Sequence, residues 1–176
     1  MVVYKRATEK LELEQILQLQ QRNLVPALSE DERLKEGFLT VSHSFELLKR
    51  MNDKCQHIIA IDNNKVVGYA LCMHPVFARE IEILIPMFDE IESVVPRPQN
   101  YLPMGQICVD KNYRGQGIFK NLYATMKATN TPEFQSIITE VDAKNTRSLQ
   151  AHYAVGFADL KIYSSGGQDW HLIILQ

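Results

Sequence analysis

The segment that decides the fold is QICVDKNYRGQGIFKNLY, which spans residues 106–123. A run of β-branched and small apolar residues predicts a strand over residues 105–110. Apolar residues then recur on one face of a predicted helix over residues 118–127. Gly115 and Gly117 lie between the two elements and allow a sharp turn of the backbone. The segment therefore predicts a strand, a glycine-rich loop and a helix.

This loop has the chemistry of an anion-binding site. Several N–H groups can point at one bound group, the helix N-terminus adds partial positive charge, and Arg114 adds a full one. No Lys-Ser/Thr pair follows the glycines, and Lys120 stands where a dinucleotide fingerprint needs its third glycine. A pyrophosphate is the natural ligand, although a plain tight turn explains the two glycines equally well.

A second informative segment is ITEVDAKNTRSLQAHYAVGF, residues 138–157. It predicts a strand over residues 136–141 and a helix over residues 145–155 that ends at Gly156. Glu140 lies in an otherwise apolar strand, where a carboxylate needs a partner or a cleft.

The helix of this segment carries four polar residues of interest. Asn145 suits the N-cap position. Ser148 and His152 are four residues apart and share one helix face, whereas Tyr153 points about 100° away from His152.

The remainder of the chain alternates helices and strands. Ser29 and Glu32 match a capping box, and Asp62-Asn63-Asn64 is turn chemistry between two β-branched runs, which predicts an antiparallel hairpin. The predicted strands and helices are a strand at residues 1–7, a helix carrying Leu13, Ile16 and Leu17, a helix at 42–51, strands at 57–61 and 65–73, a short helix at 78–88 before an irregular loop, and strands at 157–163 and 170–175. This order indicates an α/β or α+β chain with one βαβ crossover.

Composition narrows the class of protein. The chain has 176 residues, of which 45% are hydrophobic and 23% charged, and its formal net charge is −2. These values are typical of a globular domain, and they do not favour nucleic acid as a partner. Cys55, Cys72 and Cys108 are widely spaced and form no CxxC pair, so we expect no disulfide framework and no metal site. With no apolar signal or membrane-spanning run, we expect a cytoplasmic protein without a membrane partner.

An acidic segment precedes the first motif. Glu80, Glu82, Asp89, Glu90 and Glu92 face only two arginines there. The segment is either a solvated helix face or an acidic lip that attracts a cationic substrate.

Together the two motifs resemble the GNAT superfamily of acyl-CoA-dependent N-acetyltransferases. The family's diphosphate loop reads Gln/Arg-x-x-Gly-x-Gly/Ala after a strand, and residues 114–118 match it, although Phe119 stands where the family usually has Gly or Ala. The family's later Asn-x-x-Ala/Ser followed by Gly-Phe matches Asn145, Ser148 and Gly156-Phe157. The resemblance covers nearly the whole chain and implies a single GNAT-like domain over residues 1–176, with a mixed six- to seven-stranded sheet, a V-shaped splay between its central strands and about four flanking helices.

The resemblance also implies a binding mode for acetyl-CoA as cosubstrate. The pantetheine arm would pair with Ile107, Cys108 and Val109 like an added strand. Asn145 and Ser148 would line the pantetheine or the diphosphate. The diphosphate itself would be held by the loop that consists of Arg114, Gly115, Gln116, Gly117, Ile118 and Phe119.

The resemblance implies direct transfer of the acetyl group to an amine, without an acyl-enzyme. Many members carry a tyrosine as thiolate-side acid where this chain has His152, and Tyr153 is the neighbouring alternative. Either residue could act, or His152 could simply pack beneath the cofactor. Glu140 is the first candidate for the general base, and Cys108 is interpreted as a buried small hydrophobe.

The sequence leaves the acceptor open. The expected activity is acetyl transfer to a primary amine of a small molecule or a peptide, and the acidic segment favours a cationic acceptor. The alternative is a catalytically weak or inactive acyl-CoA-binding sensor or partner module with the same fold. The resemblance also allows a homodimer.

Overall fold

A seven-stranded mixed sheet organises the computed structural model, which describes residues 1–95, 100–130 and 132–176. The strand order is β1-β2-β3-β4-β5-β7-β6. The strands are β1 (Val3–Arg6), β2 (Ile58–Asp62), β3 (Lys65–Cys72), β4 (Tyr101–Val109), β5 (Ser136–Asp142), β6 (Ala158–Ser165) and β7 (Gln168–Leu175). Only β4 and β5 pair in parallel among the described strands. The mixed α/β architecture and the central splay predicted from the sequence are confirmed.

Six α-helices flank the sheet within the described residues, two more than expected. They are α1 (Lys10–Gln21), α2 (Glu30–Glu36), α3 (Phe45–Lys54), α4 (Ile85–Val94), α5 (Ile118–Asn130) and α6 (Thr146–Val155). The predicted capping box of Ser29 and Glu32 begins α2. Asn63 and Asn64 have positive φ angles of 49° and 61°, which suits the predicted tight hairpin between β2 and β3.

The helix predicted at residues 78–88 is wrong. Short 3-10 turns occupy Pro75–Phe77 and Glu82–Leu84, and α4 begins only at Ile85. Pro86 lies in the first turn of α4, where its missing N–H has no intrahelical partner to lose. Proline therefore begins this helix instead of breaking it. The predicted irregular loop is helical through Val94, and its residues 96–99 lie outside the described part of the chain.

The N-terminus of α3 also differs from the prediction. Ser44 is the N-cap, because its side chain accepts a hydrogen bond from the Leu47 N–H at 3.2 Å. The helix thus starts at Phe45 and continues three residues beyond Met51, to Lys54. None of the helices in the described ranges combines the length and apolar character needed to cross a membrane.

Candidate active site

A cleft opens where β4 and β5 separate. The two strands pair only at Tyr101–Ser136, Leu102–Ile137 and Pro103–Ile138, and beyond that point they diverge. The Thr139 hydroxyl donates to the Met104 carbonyl at 2.9 Å and closes the apex of the V. A cavity of about 490 Å³ occupies the gap and runs from the glycine-rich loop to Glu140.

One edge of β4 is exposed to this cleft. Ile107, Cys108 and Val109 pair with β3 on one side, and β5 has already left them on the other. Strand β4 also bulges at Gly105, because Gln106 lies opposite Leu71 while Met104 lies opposite Cys72. A bulge leaves its extra residue out of the regular ladder. The structure therefore presents an open strand edge along the predicted path of the pantetheine arm, apart from the Val109 carbonyl, which accepts from Arg114 Nε at 3.1 Å.

The thiol of Cys108 is unsuited to act as a nucleophile. Burial raises its pKa to about 12, so that the thiol stays protonated at neutral pH. This agrees with the interpretation of Cys108 as a packing residue.

The glycine-rich loop has the backbone shape that an anion site needs. Gly115 and Gly117 have φ angles of +73° and +77°, a region that L side chains rarely adopt. A Cβ added at Gly115 would meet no atom within 4 Å, so the space in front of the loop is open. The loop leads into α5, whose first N–H groups have no intrahelical acceptor.

Phe119 does not obstruct this loop. Its ring packs edge-on against Tyr123 and His152, with centroids 5.3 Å and 5.0 Å away. The bulky side chain therefore points towards the core, and the cavity still reaches Gly115 and Gly117.

The Arg114 side chain is engaged in contacts within the protein. Its guanidinium donates to the Val109 carbonyl at 3.1 Å and to Asn23 Oδ1 at 2.9 Å, and it forms an ion pair with Glu36. These contacts hold the segment after α1 against the end of β4. Only the backbone of Arg114 remains part of the predicted anion cradle.

Two other cations border the cavity near the loop, and neither was predicted from the sequence as part of the site. Lys120 lies in the first turn of α5 and Arg147 in the first turn of α6, and both side chains are exposed. Neither has an ion-pair partner within the described residues. Each belongs to the first turn of a helix that borders the cleft, and this was the signal available in the sequence.

Asn145 and Ser148 stand at the N-terminus of α6, on the cleft wall. The Asn145 side chain accepts from the Ser148 N–H at 3.3 Å and donates to the Phe38 carbonyl at 3.0 Å. Asn145 is thus the helix cap, as its position suggested, and it also ties the segment before α3 to α6.

His152 is buried, and both of its ring nitrogens are occupied. Nδ1 lies 2.7 Å from the Ser148 carbonyl, which can only accept, so Nδ1 carries the proton. Nε2 then accepts from the Tyr123 hydroxyl at 2.8 Å. Burial lowers the pKa of His152 to about 4, so the ring is neutral near pH 7. This geometry favours the packing role over that of a thiolate-side acid.

Tyr153 faces away from the cleft. Its hydroxyl donates to Asp159 at 2.8 Å and lies 3.1 Å from His171 Nδ1, among exposed groups of β6 and β7. Tyr153 does not border the cavity. The expectation that it could protonate a leaving thiolate is therefore wrong, because its side chain points to the opposite side of α6.

Glu140 lies at the inner end of the cleft. Burial raises the pKa of this carboxyl to about 7, although a hydrogen bond from the Tyr163 hydroxyl opposes that rise. Burial and the neighbouring Glu140 together raise the pKa of Tyr163 well above its usual range, so Tyr163 remains a donor. The sequence pointed to Glu140 but not to Tyr163, which is 23 residues away.

Gln106 belongs to a buried polar network beneath the cleft. Its side-chain oxygen accepts from Tyr69 at 2.6 Å and from Gln20 at 2.7 Å, while its amide donates to the Val41 carbonyl at 2.8 Å. Gln106 thus fastens the segment before α3 to β4 and carries no base function.

The splayed parallel pair beside a glycine-rich helix start agrees with the fold that the resemblance implied. Residues 13–157 match the family model of the acetyltransferase (GNAT) family. The chain belongs to that family. No curated protein matches the sequence.

Several solved structures share the fold. The NatC complex bound to Gag peptide and CoA is 18% identical, with a TM-score of 0.70 over 99% of this chain and 97% of that one. The ribosomal-protein-S18-alanine N-acetyltransferase of Escherichia coli is 15% identical, with a TM-score of 0.65 over 99% and 93% of the two chains. NAA60 of Arabidopsis thaliana, solved with a bisubstrate analogue, is 15% identical, with a TM-score of 0.69 over 99% and 97%.

Proposed function

We propose that this protein transfers an acetyl group from acetyl-CoA directly to a primary amine of a small molecule or a peptide. One observation carries the proposal: a single cleft joins the glycine-rich anion loop, the free edge of β4 and the carboxyl of Glu140. Two of the structural neighbours, named as a complex with CoA and a complex with a bisubstrate analogue, support the same chemistry.

The residues of the cleft fit acetyl-CoA. The open space in front of Gly115 and the N–H groups at the start of α5 suit a diphosphate. Lys120 and Arg147 supply the positive charge, while the edge of β4 from Ile107 to Val109 can hydrogen-bond the amides of the pantetheine arm.

Glu140 is the proposed general base. An aliphatic amine is protonated near pH 7 and must lose a proton before its nitrogen can attack. The thioester supplies an activated acetyl group: the new C–N bond forms, and the C–S bond breaks with its electron pair staying on sulfur. A second proton leaves the nitrogen as the amide forms and goes to that sulfur, so that the products are the amide and the thiol of CoA. Glu140 receives the amine proton, and its raised pKa matches that task near neutral pH. A backbone N–H at the Gly105 bulge stabilises the negative charge that develops on the acetyl oxygen.

Calorimetric titration with acetyl-CoA and with CoA tests the cofactor. We expect micromolar binding of both. Lys120→Glu and Arg147→Glu each reverse one charge beside the diphosphate and should weaken binding about tenfold, since a bound charge pair contributes on the order of 1–2 kcal/mol. Lys144→Glu is the matched control, because Lys144 is exposed and does not border the cavity. Equal losses in all three variants would refute the assignment of the phosphate cations.

The alternative is an acyl-CoA-binding sensor or partner module. The neutral, fully bonded state of His152 favours it, because the one ring proton of the residue at the family's acid position is on Nδ1 and is donated to the Ser148 carbonyl. Acetylation of any amine by the purified protein separates the two functions: a binding module would retain affinity for acetyl-CoA and show no turnover.

A further inference from the structure

We propose that the acceptor is a primary amine attached to an apolar group, and that Leu84, Met87 and Trp170 recognise that group. This inference rests on the proposed transfer of an acetyl group to an amine, and it specifies which amines are used. It narrows the expectation of a cationic acceptor to a single ammonium group attached to an apolar group.

We call Leu84, Met87 and Trp170 the apolar wall. Trp170 lies on the same face of the sheet as Glu140, the proposed base. Across β5, β7 and β6, Glu140 lies opposite Leu172, and Asp142 lies opposite Trp170, which pairs in turn with Tyr163. Directly opposed residues in an antiparallel pair share a face. Trp170 therefore stands one row from Glu140 on the same side of the sheet, and its ring is only half-buried and borders the cavity.

The segment leading into α4 supplies the opposite part of the wall. Leu84 and Met87 border the cavity beside Val41 and pack in one apolar cluster with Trp170. Lys161 on β6 forms an ion pair with Glu90 on α4 at 2.5 Å, which holds this helix over the sheet face. Apolar side chains thus form one wall of the space next to Glu140.

Charges near this end of the cleft do not favour a polycation. Arg50 pairs with Glu80, Arg79 pairs with Asp89 and lies 3.7 Å from Glu92, and Lys161 neutralises Glu90. The acidic lip that the sequence suggested is therefore largely paired with cations of the protein. Asp142 is a second carboxylate that borders the cavity, one row from Glu140 on the same face of the sheet. Its Oδ1 accepts from the Lys144 N–H at 2.8 Å, so this group also holds the turn before α6, whereas the described partner of Glu140 is the Tyr163 hydroxyl at the inner end of the cleft.

An apolar wall beside the proposed base selects ligands by a simple rule. The amine is fixed at Glu140, and each methylene group that enters the wall is removed from water. One buried methylene contributes about 0.8 kcal/mol, which corresponds to about a fourfold gain in kcat/KM.

The test is a series of acceptors for the unmodified protein with saturating acetyl-CoA. Ethylamine, butylamine and hexylamine carry the same charge and differ only in apolar length, while spermidine carries additional charge. A tetrapeptide that begins with leucine and one that begins with aspartate extend the comparison to peptide amines. We expect kcat/KM to rise about fourfold per methylene, hexylamine to exceed spermidine, and the leucine peptide to exceed the aspartate peptide. If the alkylamines react faster than the peptides, the acceptor is a small molecule. If the peptides react faster, it is a peptide.

Failure of the proposed acetyl transfer and failure of the apolar acceptor give different results. If acetyl-CoA binds but no amine in either series is acetylated, the proposed function is wrong, and this inference falls with it. If amines are acetylated but the rate does not depend on apolar length, or spermidine is preferred, only the apolar acceptor is refuted.

Leu84→Ala tests whether Leu84 contacts the apolar group of the acceptor. Ile83→Ala, on the same 3-10 turn, is the matched control. Ile83 is exposed and does not border the cavity, whereas Leu84 is buried and does. We expect Leu84→Ala to reduce kcat/KM for hexylamine about tenfold through KM, with less than a twofold change for ethylamine, and Ile83→Ala to change neither. Equal effects on both amines would contradict the assignment. The amine series on the unmodified protein decides the proposal even if Leu84→Ala fails to fold.

Discussion

Replacing Tyr163 with phenylalanine isolates the proton equilibrium of Glu140. The Tyr163 hydroxyl donates to Glu140 and, among the residues that the structure describes, is the group that opposes the rise in the pKa of this half-buried carboxyl, which is about 7. A hydrogen bond to a charged group contributes about 1.5–3 kcal/mol, and one pKa unit equals about 1.4 kcal/mol. Tyr163→Phe should therefore raise the pKa of Glu140 by at least about one unit.

The rate follows from the ionised fraction of Glu140. At pH 6.5 that fraction falls from about a quarter to about 3% when the pKa rises by one unit, so kcat/KM should fall about eightfold. At pH 9 both proteins are almost fully ionised and should react alike. The assay is kcat/KM for one amine from pH 6 to pH 9.5 for both proteins. Protonation of the amine affects both proteins equally. The ratio of kcat/KM for the unmodified protein to kcat/KM for Tyr163→Phe therefore depends on the enzyme alone. A ratio that does not vary with pH, or that grows as pH rises, would refute the role of Glu140 as base.

Two further predictions concern stability. Glu140→Gln should be inactive at every pH, yet more stable than the unmodified protein above pH 7. The reason is the raised pKa of Glu140. It gives the folded state of the unmodified protein stability that is present below about pH 4.5 and lost as pH rises through about 7. Urea unfolding of both proteins at pH 4.5 and pH 8 should show a relative gain approaching about 3 kcal/mol for the variant, and a pH-independent difference would contradict this. Burial lowers the pKa values of His43, His57 and His152 to about 4, 3 and 4, so stability present above about 6.5 should be lost as pH falls towards 4. The loss should approach about 1.4 kcal/mol per pH unit for each histidine, and unfolding curves that coincide at pH 7.5 and pH 5 would rule it out.

The fold was predictable wherever local sequence fixes the backbone. The capping box at Ser29 depends on residues within three positions, and so does the turn at Asn63 and Asn64. The glycine-rich loop and the Asn145 cap are equally local. The error at α4 had a local cause as well, since Pro86 can either end a helix or begin one.

The roles of the site residues were less predictable, because they depend on partners far along the chain. Arg114 was expected to face an anion, but Glu36, which is 78 residues away, binds its guanidinium. His152 had the correct spacing for an acid, but Tyr123 and the core around it keep the ring neutral. Spacing along one helix shows which side chains share a face, and it cannot show what the opposing element presents to them.

The sequence alone thus determined the strand, loop and helix that form the anion site, because turns, caps and periodic apolar faces depend on neighbouring residues. Only the tertiary structure decided which carboxylates are free. Packing pairs Glu80, Asp89 and Glu90 with cations of the protein and leaves Glu140 in the cleft with Tyr163 as its partner. A charge acquires its pKa and its function from burial and from neighbours in space, and those exist only after the chain has folded.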